Sequence, residues 1–302
     1  MEKSIIIKKI NRYFHDIEAN YFDFRHSVRI REESNLYQDF FQHFFLENQS
    51  DHVRVLEVGT GTGLVPRVLT SFNYSPQYLC IDLSFSMLNA VRNCPGLRDK
   101  GFLRYFVCDS EQLSFKSERF DLVICNAALH HFPNAESFFY EADRVLTPGG
   151  ILIIGHEPNK RFWTNRSVSF LYRILHKINK LFSRDAQIPK TEKSDYSKVC
   201  NGVNEILLNK GLITEPLPHE TILGYVDTHS PNSGSKIDYS KGFTIQEIKE
   251  RFFKGYSIEQ LRYHYNPGSP NGVGILWRLF RLYNRVVFPA SAPSFSLILR
   301  KG

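Results

Sequence analysis

The stretch Val55-Leu56-Glu57-Val58-Gly59-Thr60-Gly61-Thr62-Gly63 decides how the chain is to be read. An apolar run ends in glycines at alternate positions, and Leu64–Phe72 continues with helical spacing. Strand, glycine turn and helix in that order bring a backbone close to a ligand. Glycine has no Cβ to hold the ligand off, and the helix start beyond it offers unpaired N–H groups. The spacing is GxGxG. The dinucleotide fingerprint GxGxxG would need glycine at 64, where Leu64 stands, so a nicotinamide-dependent oxidoreductase is the weaker reading. An acidic residue belongs at the end of the next strand, where a carboxylate accepts two ribose hydroxyls. Asp82 holds that place in Leu79-Cys80-Ile81-Asp82-Leu83.

Working outward, short apolar runs alternate with helical patterns. Runs at Val53–Val58, Tyr78–Leu83, Leu103–Cys108, Phe120–Asn126 and Ile151–Gly155 read as strands. Leu64–Phe72, Ser86–Asn93 and Ala135–Leu146 read as helices, the last stopped by a Thr147-Pro148-Gly149-Gly150 turn. This alternation predicts an α/β doubly wound, Rossmann-like sheet, mostly parallel and covered on both faces. Tyr256–Tyr265 and Ser294–Arg300 read as late strands that add an antiparallel edge, with helices at Thr244–Phe253 and Ile275–Phe288. Before the sheet, aromatic residues from Tyr13 to Phe45 recur at intervals of three and four, the mark of a helical face. Four parts follow: a helical N-terminal cap (1–50), a ligand-binding core (51–158), a helical lid or acceptor-binding insertion (159–243), and a C-terminal part of the core sheet with an inserted helix (244–302).

Composition sets the outer bounds. The chain has 302 residues, 42% hydrophobic and 23% charged, enough apolar material for a sizeable core and too much for a disordered chain. No apolar run reaches the roughly 18 residues of a membrane span, and the first residues lack a signal-peptide pattern, so a cytoplasmic protein is expected. The five cysteines form no CxxC pair, three of them fall in or beside apolar runs, and no metal site is legible; buried, reduced thiols are expected. The net charge of +7 is uneven: residues 1–150 hold 16 basic against 19 acidic residues, leaving 22 against 12 for residues 151–302. Such asymmetry points to an anionic partner for the second half, or to solvated surface charge.

Several motifs together resemble the class I S-adenosylmethionine-dependent methyltransferases, in particular the type 11 or UbiE-like small-molecule branch. They are the glycine stretch, Ile81-Asp82-Leu83-Ser84 with Met87-Leu88, Cys108-Asp109-Ser110-Glu111, Phe120-Asp121 to Asn126, Leu129-His130-His131-Phe132, and Arg144-Val145-Leu146-Thr147-Pro148-Gly149-Gly150. The resemblance covers roughly 52–158 and implies S-adenosylmethionine as cofactor. It implies that Glu57, Gly59, Thr60, Gly61 and Gly63 line the amino-acid end, that Asp82 binds the ribose, and that Leu83 and Met87 lie against the adenine. It further implies that Asp109 accepts the adenine amino group beside Ser110, and that Asn126 presents backbone at the sulfonium end. Asp121 reads as structural, and Met87 is as well suited to the core as to the cofactor.

His130, His131 and Glu157 are the catalytic candidates. They fall at the C-terminal ends of strands, the edge where open α/β sheets bind ligands, and each could take a proton or make a structural hydrogen bond. Beyond them, Phe170, Leu171, Ile174, Leu175, Ile178, Leu181 and Phe182 share a helical face, with Arg173, Lys177, Lys180 and Arg184 on the rest. Residues 275–288 repeat the design. Such helices close an acceptor pocket, lie on an anionic membrane surface, or pack on the core with arginines outward. The expected partner is a small-molecule or lipid-like acceptor, anionic in character, with peripheral membrane contact; no nucleic-acid-binding module is legible. The expected activity is methyl transfer. The alternative is a methyltransferase-like scaffold or partner-binding subunit without catalysis.

Overall fold

The central strands are apolar on both faces, and that forces helices onto both sides of the sheet. The computed structural model describes residues 3–25, 27–47, 52–72, 74–182, 191–228, 242–264, 282–283, 285–286, 290 and 292–302, the side chains of 24–29, 31–32, 46–47, 175–182 and 191–195 aside. Three helices come first: α1 (Lys3–Glu18), α2 (Phe22–Arg25) and α3 (Ser27–Glu47). The core then alternates: β1 (Arg54–Val58), α4 (Leu64–Leu69), β2 (Gln77–Asp82), α5 (Phe85–Asn93), β3 (Leu103–Val107), β4 (Phe120–Asn126), a 3-10 turn (Leu129–His131), α6 (Ala135–Val145) and β5 (Leu146–Pro158). Four helices follow, α7 (Lys160–Thr164), α8 (Arg166–Phe182), α9 (Thr191–Asn209) and α10 (His219–Val226). The chain ends with α11 (Ile245–Phe252), β6 (Ser257–His264) and β7 (Ser294–Arg300).

The sheet order is β3-β2-β1-β4-β5-β7-β6. The first five strands pair in parallel, and β7 runs antiparallel to both neighbours, one place in from the edge. Alternate residues of each strand serve opposite cores. Leu56, Val58, Val123, Cys125, Leu152 and Ile154 pack against α6 and α11. Val55, Leu122, Ile124, Ile151 and Ile153 pack with Tyr37, Phe41 and Phe45 of α3 and with α4 and α5. A separate cluster joins α1 to α9 and α10 through Ile10, Phe14, Val203, Leu207 and Ile222. Helix starts are set by side-chain caps. Ser84 accepts from the Met87 N–H at the start of α5, and Thr244 with Glu247 forms a reciprocal capping box on α11.

Three readings need correction or qualification. Thr147–Gly150 is not a free turn: β5 begins at Leu146, and the Gly149 N–H donates to the Lys301 carbonyl while the Lys301 N–H donates to Gly150. The C-terminal residues supply the partner that this local composition does not announce. On α8, Phe170, Leu171 and Ile174 are exposed rather than packed inward. The helix expected at 275–288 and the loop expected from Asp227 to Lys241 lie almost wholly outside the described residues. All five cysteines are free thiols, with Cys80, Cys125 and Cys200 buried.

Candidate functional site

A cleft of about 930 Å³, counting its open mouth, lies at the C-terminal ends of β1, β2 and β4. Its floor is the glycine loop. Gly59 takes φ 65°, and a Cβ there would stand 2.5 Å from the Ala128 Cβ, so the loop can pass the end of β4 only without a side chain. Gly61 also has positive φ, with open space where a Cβ would point. Its N–H donates to Asp82 Oδ2 at 2.9 Å, and the Ser84 N–H donates to Oδ1 at 2.8 Å. A carboxylate has about four lone-pair sites, so two remain for a ligand. Burial pushes the Asp82 carboxyl up, against the pull of those two N–H groups.

Thr60, Leu83, Met87, Asp109, Ser110 and Asn126 also border the cleft. Gly63 does not; it faces Val91 and Leu97 instead, although its neighbours Thr62 and Leu64 reach the cleft. Glu57 likewise is absent from the lining. It lies 2% exposed under the loop, where the Tyr78 hydroxyl donates to Oε2 at 2.9 Å. Burial pushes its carboxyl up to about 8, with hydrogen bonds from Tyr78 and Thr60 offsetting part of the effect. Asp121 is structural: Oδ2 accepts from the Arg54 backbone N–H and Nε at 2.9 Å each, and Oδ1 accepts from Nη2 at 2.7 Å.

The N-terminal helices roof the cleft. Lys8 Nζ reaches Asp109 Oδ2 and Glu111 Oε2, each at 2.6 Å. Burial works against the Lys8 charge, yet those two carboxylates hold its pKa above the ordinary value. Asp16 accepts from the Ser84 hydroxyl at 2.6 Å, and Asp23 accepts from Thr62 and Arg67 over the glycine loop. At the β4 end, Asn126 is held from α3: Tyr37 donates to its Oδ1 at 3.0 Å, and its Nδ2 donates to Glu33 at 2.6 Å. A Cβ on Gly155 would stand 2.3 Å from that Oδ1, so glycine at 155 makes room for the arrangement. Lys8, Asn11 and His15 share the cleft-facing side of α1 at helical spacing, but nothing in the sequence ties that face, or Tyr37 and Glu33, to the cleft.

The three catalytic candidates separate. Glu157 is fully buried and caps the 3-10 turn: Oε1 accepts from the N–H groups of Ala128 and Leu129 at 3.0 Å, and Oε2 from that of His130 at 3.1 Å. A register shift in β5 between Ile154 and Glu157, with His156 at φ 53°, turns the carboxylate inward. His130 Nδ1 is tied to the same carboxylate at 2.9 Å. Neither borders the cleft. His131 does. Its Nδ1 lies 2.8 Å from the Val226 carbonyl and 3.3 Å from Asp227 Oδ1, and its ring stands edge-on to His15 at 5.0 Å. Burial opposes its charge, but Asp227 raises its pKa.

Residues 56–154 match the family model described as "Methyltransferase domain". The chain is 34% identical over 126 residues to phthiotriol/phenolphthiotriol dimycocerosates methyltransferase 1 of Mycobacterium ulcerans, covering 41% of this chain and 43% of that one. It is 22% identical over 218 residues to the malonyl-[acyl-carrier protein] O-methyltransferase of Chlorobium luteolum, covering 71% and 76%. Against the ubiquinone/menaquinone biosynthesis C-methyltransferase UbiE of Coxiella burnetii it is 25% identical over 140 residues, covering 44% and 55%. The match spans less than half the length of the first curated relatives, 43%, 34% and 41% of them. Among solved structures, a SAM dependent methyltransferase from Aquifex aeolicus is 19% identical over 39% of this chain and 64% of its own, with a TM-score of 0.33, a likeness too loose to bear on activity.

Proposed function

We propose, on the premise that residues 56–154 form a methyltransferase domain of class I fold, that the protein transfers a methyl group from S-adenosylmethionine to a small-molecule or lipid-like acceptor. One observation carries the reading: Gly61, Asp82 and Asp109 border a single cleft, with space over Gly61 for a ligand and lone pairs of Asp82 left for ribose hydroxyls. When bound, the cofactor supplies a methyl group already activated by its sulfonium. The chain's own residues then bind, align and exclude water. Asp82 would hold the ribose. Asp109, shared with Lys8, would accept the adenine amine, and Leu83 and Met87 would supply apolar surface against the ring. Asn126, its side chain fixed by Tyr37 and Glu33, would present backbone at the sulfonium end. Phe132 and Pro133 border the cleft with His131, which would be the catalytic candidate to meet an acceptor.

Calorimetry tests the cofactor: binding of S-adenosylmethionine or its demethylated product is expected, and NADH binding in their place would overturn the reading. Turnover with candidate acceptors separates an enzyme from a scaffold that only retains the cofactor. For the acceptor, support comes from α8 and from the relatives' names. The exposed Phe170, Leu171 and Ile174 stand beside exposed Arg166 and Arg173, a combination suited to a lipid-like acceptor at an anionic surface. Two relatives are named for phthiotriol/phenolphthiotriol dimycocerosates and for ubiquinone/menaquinone biosynthesis. Each basic residue near an anionic bilayer contributes about 1 kcal/mol, and salt screens it. Flotation with anionic vesicles at low salt, lost at high salt and in Phe170→Ser with Arg173→Gln, is the expected outcome. No flotation at low salt would leave a soluble small molecule as acceptor.

A further inference from the structure

We propose that His130, His131 and Asp227 form a binding site for one divalent transition-metal ion of the zinc class at the acceptor side of the cleft. The sequence shows no such site, because the carboxylate arrives from the end of α10, far along the chain from the two histidines. In the fold, one ligand atom from each of the three lies within 4.8 Å of the others. Ligands about 2.1 Å from a tetrahedral zinc ion stand roughly 3.4 Å apart, so side-chain movements on the order of an ångström complete the site.

The surroundings of both imidazoles point the same way. Metal-bound histidines characteristically donate the second ring N–H to a carboxylate or a backbone carbonyl, which fixes the tautomer and aims the other nitrogen. His130 Nδ1 meets the buried Glu157 carboxylate at 2.9 Å, and His131 Nδ1 meets the Val226 carbonyl at 2.8 Å and Asp227 Oδ1 at 3.3 Å. With the proton on Nδ1 of each ring, Nε2 is the nitrogen left for an ion, and Asp227 would turn from His131 Nδ1 to share that ion. The frame around them is tied across the chain. The Thr228 hydroxyl bonds the His130 carbonyl at 3.0 Å, and Asn11 donates to the Val226 carbonyl at 3.2 Å. Asp227 and the 3-10 turn are thus held together whether or not an ion is present.

Two imidazoles and one carboxylate suit zinc, cobalt or nickel. Magnesium and calcium prefer sets made of oxygen. Three protein ligands leave a fourth position, and His131 borders the cleft, so that position is available to an acceptor oxygen. A cation there would polarise that oxygen, and His131 would then act as a ligand rather than as a base. The metal claim does not depend on methyl transfer.

The test uses the full chain, stripped with chelator and dialysed. Titration with Co²⁺, read by its visible absorption, and with Zn²⁺, read by competition with a chromophoric chelator, should each show one equivalent bound. Asp227→Asn and His131→Ala should each weaken binding at least tenfold, while His43→Gln, at an exposed histidine elsewhere, should not. Should the variants fail to fold, imidazole nitrogen resonances of the wild type provide the second readout: one equivalent of Zn²⁺ should shift those of His130 and His131. Absence of stoichiometric binding, equal affinity in folded Asp227→Asn, or unmoved resonances would overturn the site and leave a plain His131–Asp227 ion pair. S-adenosylmethionine calorimetry on the same samples keeps the two readings apart, since cofactor binding without metal binding refutes only the metal.

Discussion

Glu57→Gln isolates the buried carboxyl beneath the glycine loop. Glu57 is 2% exposed, and burial holds its folded pKa at about 8. In the unfolded chain a glutamate titrates near 4.3. Between those values the folded state binds one proton that the unfolded state lacks, so unfolding releases it. Stability from this group is fully present below the unfolded pKa, falls as pH rises through the window, and is gone above about 8. At 1.36 kcal/mol per unit, the ceiling is on the order of 5 kcal/mol, and relaxation around the site reduces it to a few. Glutamine keeps the shape and an oxygen for the Tyr78 hydroxyl but does not titrate. The assay is thermal unfolding from pH 5 to 9 for both proteins. Taking each kcal/mol as about 2–4 °C, the wild type should lose roughly 5–10 °C relative to the variant across that range. Other titrating groups cancel in the difference. Parallel pH curves would refute the reasoning. Because the side chain lies outside the cleft lining, S-adenosylmethionine affinity at pH 6 should change less than about threefold; a larger loss would place the carboxylate on the cofactor.

Asp82→Ala removes a carboxylate poised for ribose hydroxyls. At about 1.5–3 kcal/mol per charged hydrogen bond, cofactor affinity by calorimetry should fall by a factor of ten or more, and unchanged affinity in a folded variant would remove Asp82 from the site. Gly155→Ala places a methyl 2.3 Å from Asn126 Oδ1 and 2.7 Å from the Tyr37 hydroxyl, so the Tyr37–Asn126–Glu33 chain must move. A destabilisation of about 1–3 kcal/mol in denaturant melts is expected, together with weaker cofactor binding. Lys8→Met breaks the bridge from α1 to Asp109 and Glu111, and stopped-flow release of the cofactor should be several-fold faster; an unchanged rate would mean that α1 does not gate the adenine end.

The legible part of this protein is the part whose signals are local. Strands β1 and β4 are buried on both faces, so they appear as short, mainly apolar runs, interrupted by Glu57 in one and Asp121 in the other, and the glycines, Asp82 and Asp109 stand at strand ends where the chain itself marks the edge of the sheet. What was not legible depends on residues far away. Lys8 meets Asp109 across 101 positions, and Tyr37 meets Asn126 across 89. Neither distance leaves a trace in spacing or composition. Glu157 shows the same limit from the other side. Its residue type and its place after β5 fit a base as well as a cap, and only the register shift that turns it under the 3-10 turn separates the two. The strained backbone at His156 is held by the Ser296 hydroxyl of β7, at 2.9 Å from its N–H. The role of a carboxylate on one strand is therefore set by a hydroxyl on a strand that arrives about 140 residues later. Replacing Ser296 by alanine should loosen that turn and, through Glu157, the peptide N–H groups that carry His130 and His131 to the acceptor side of the cleft.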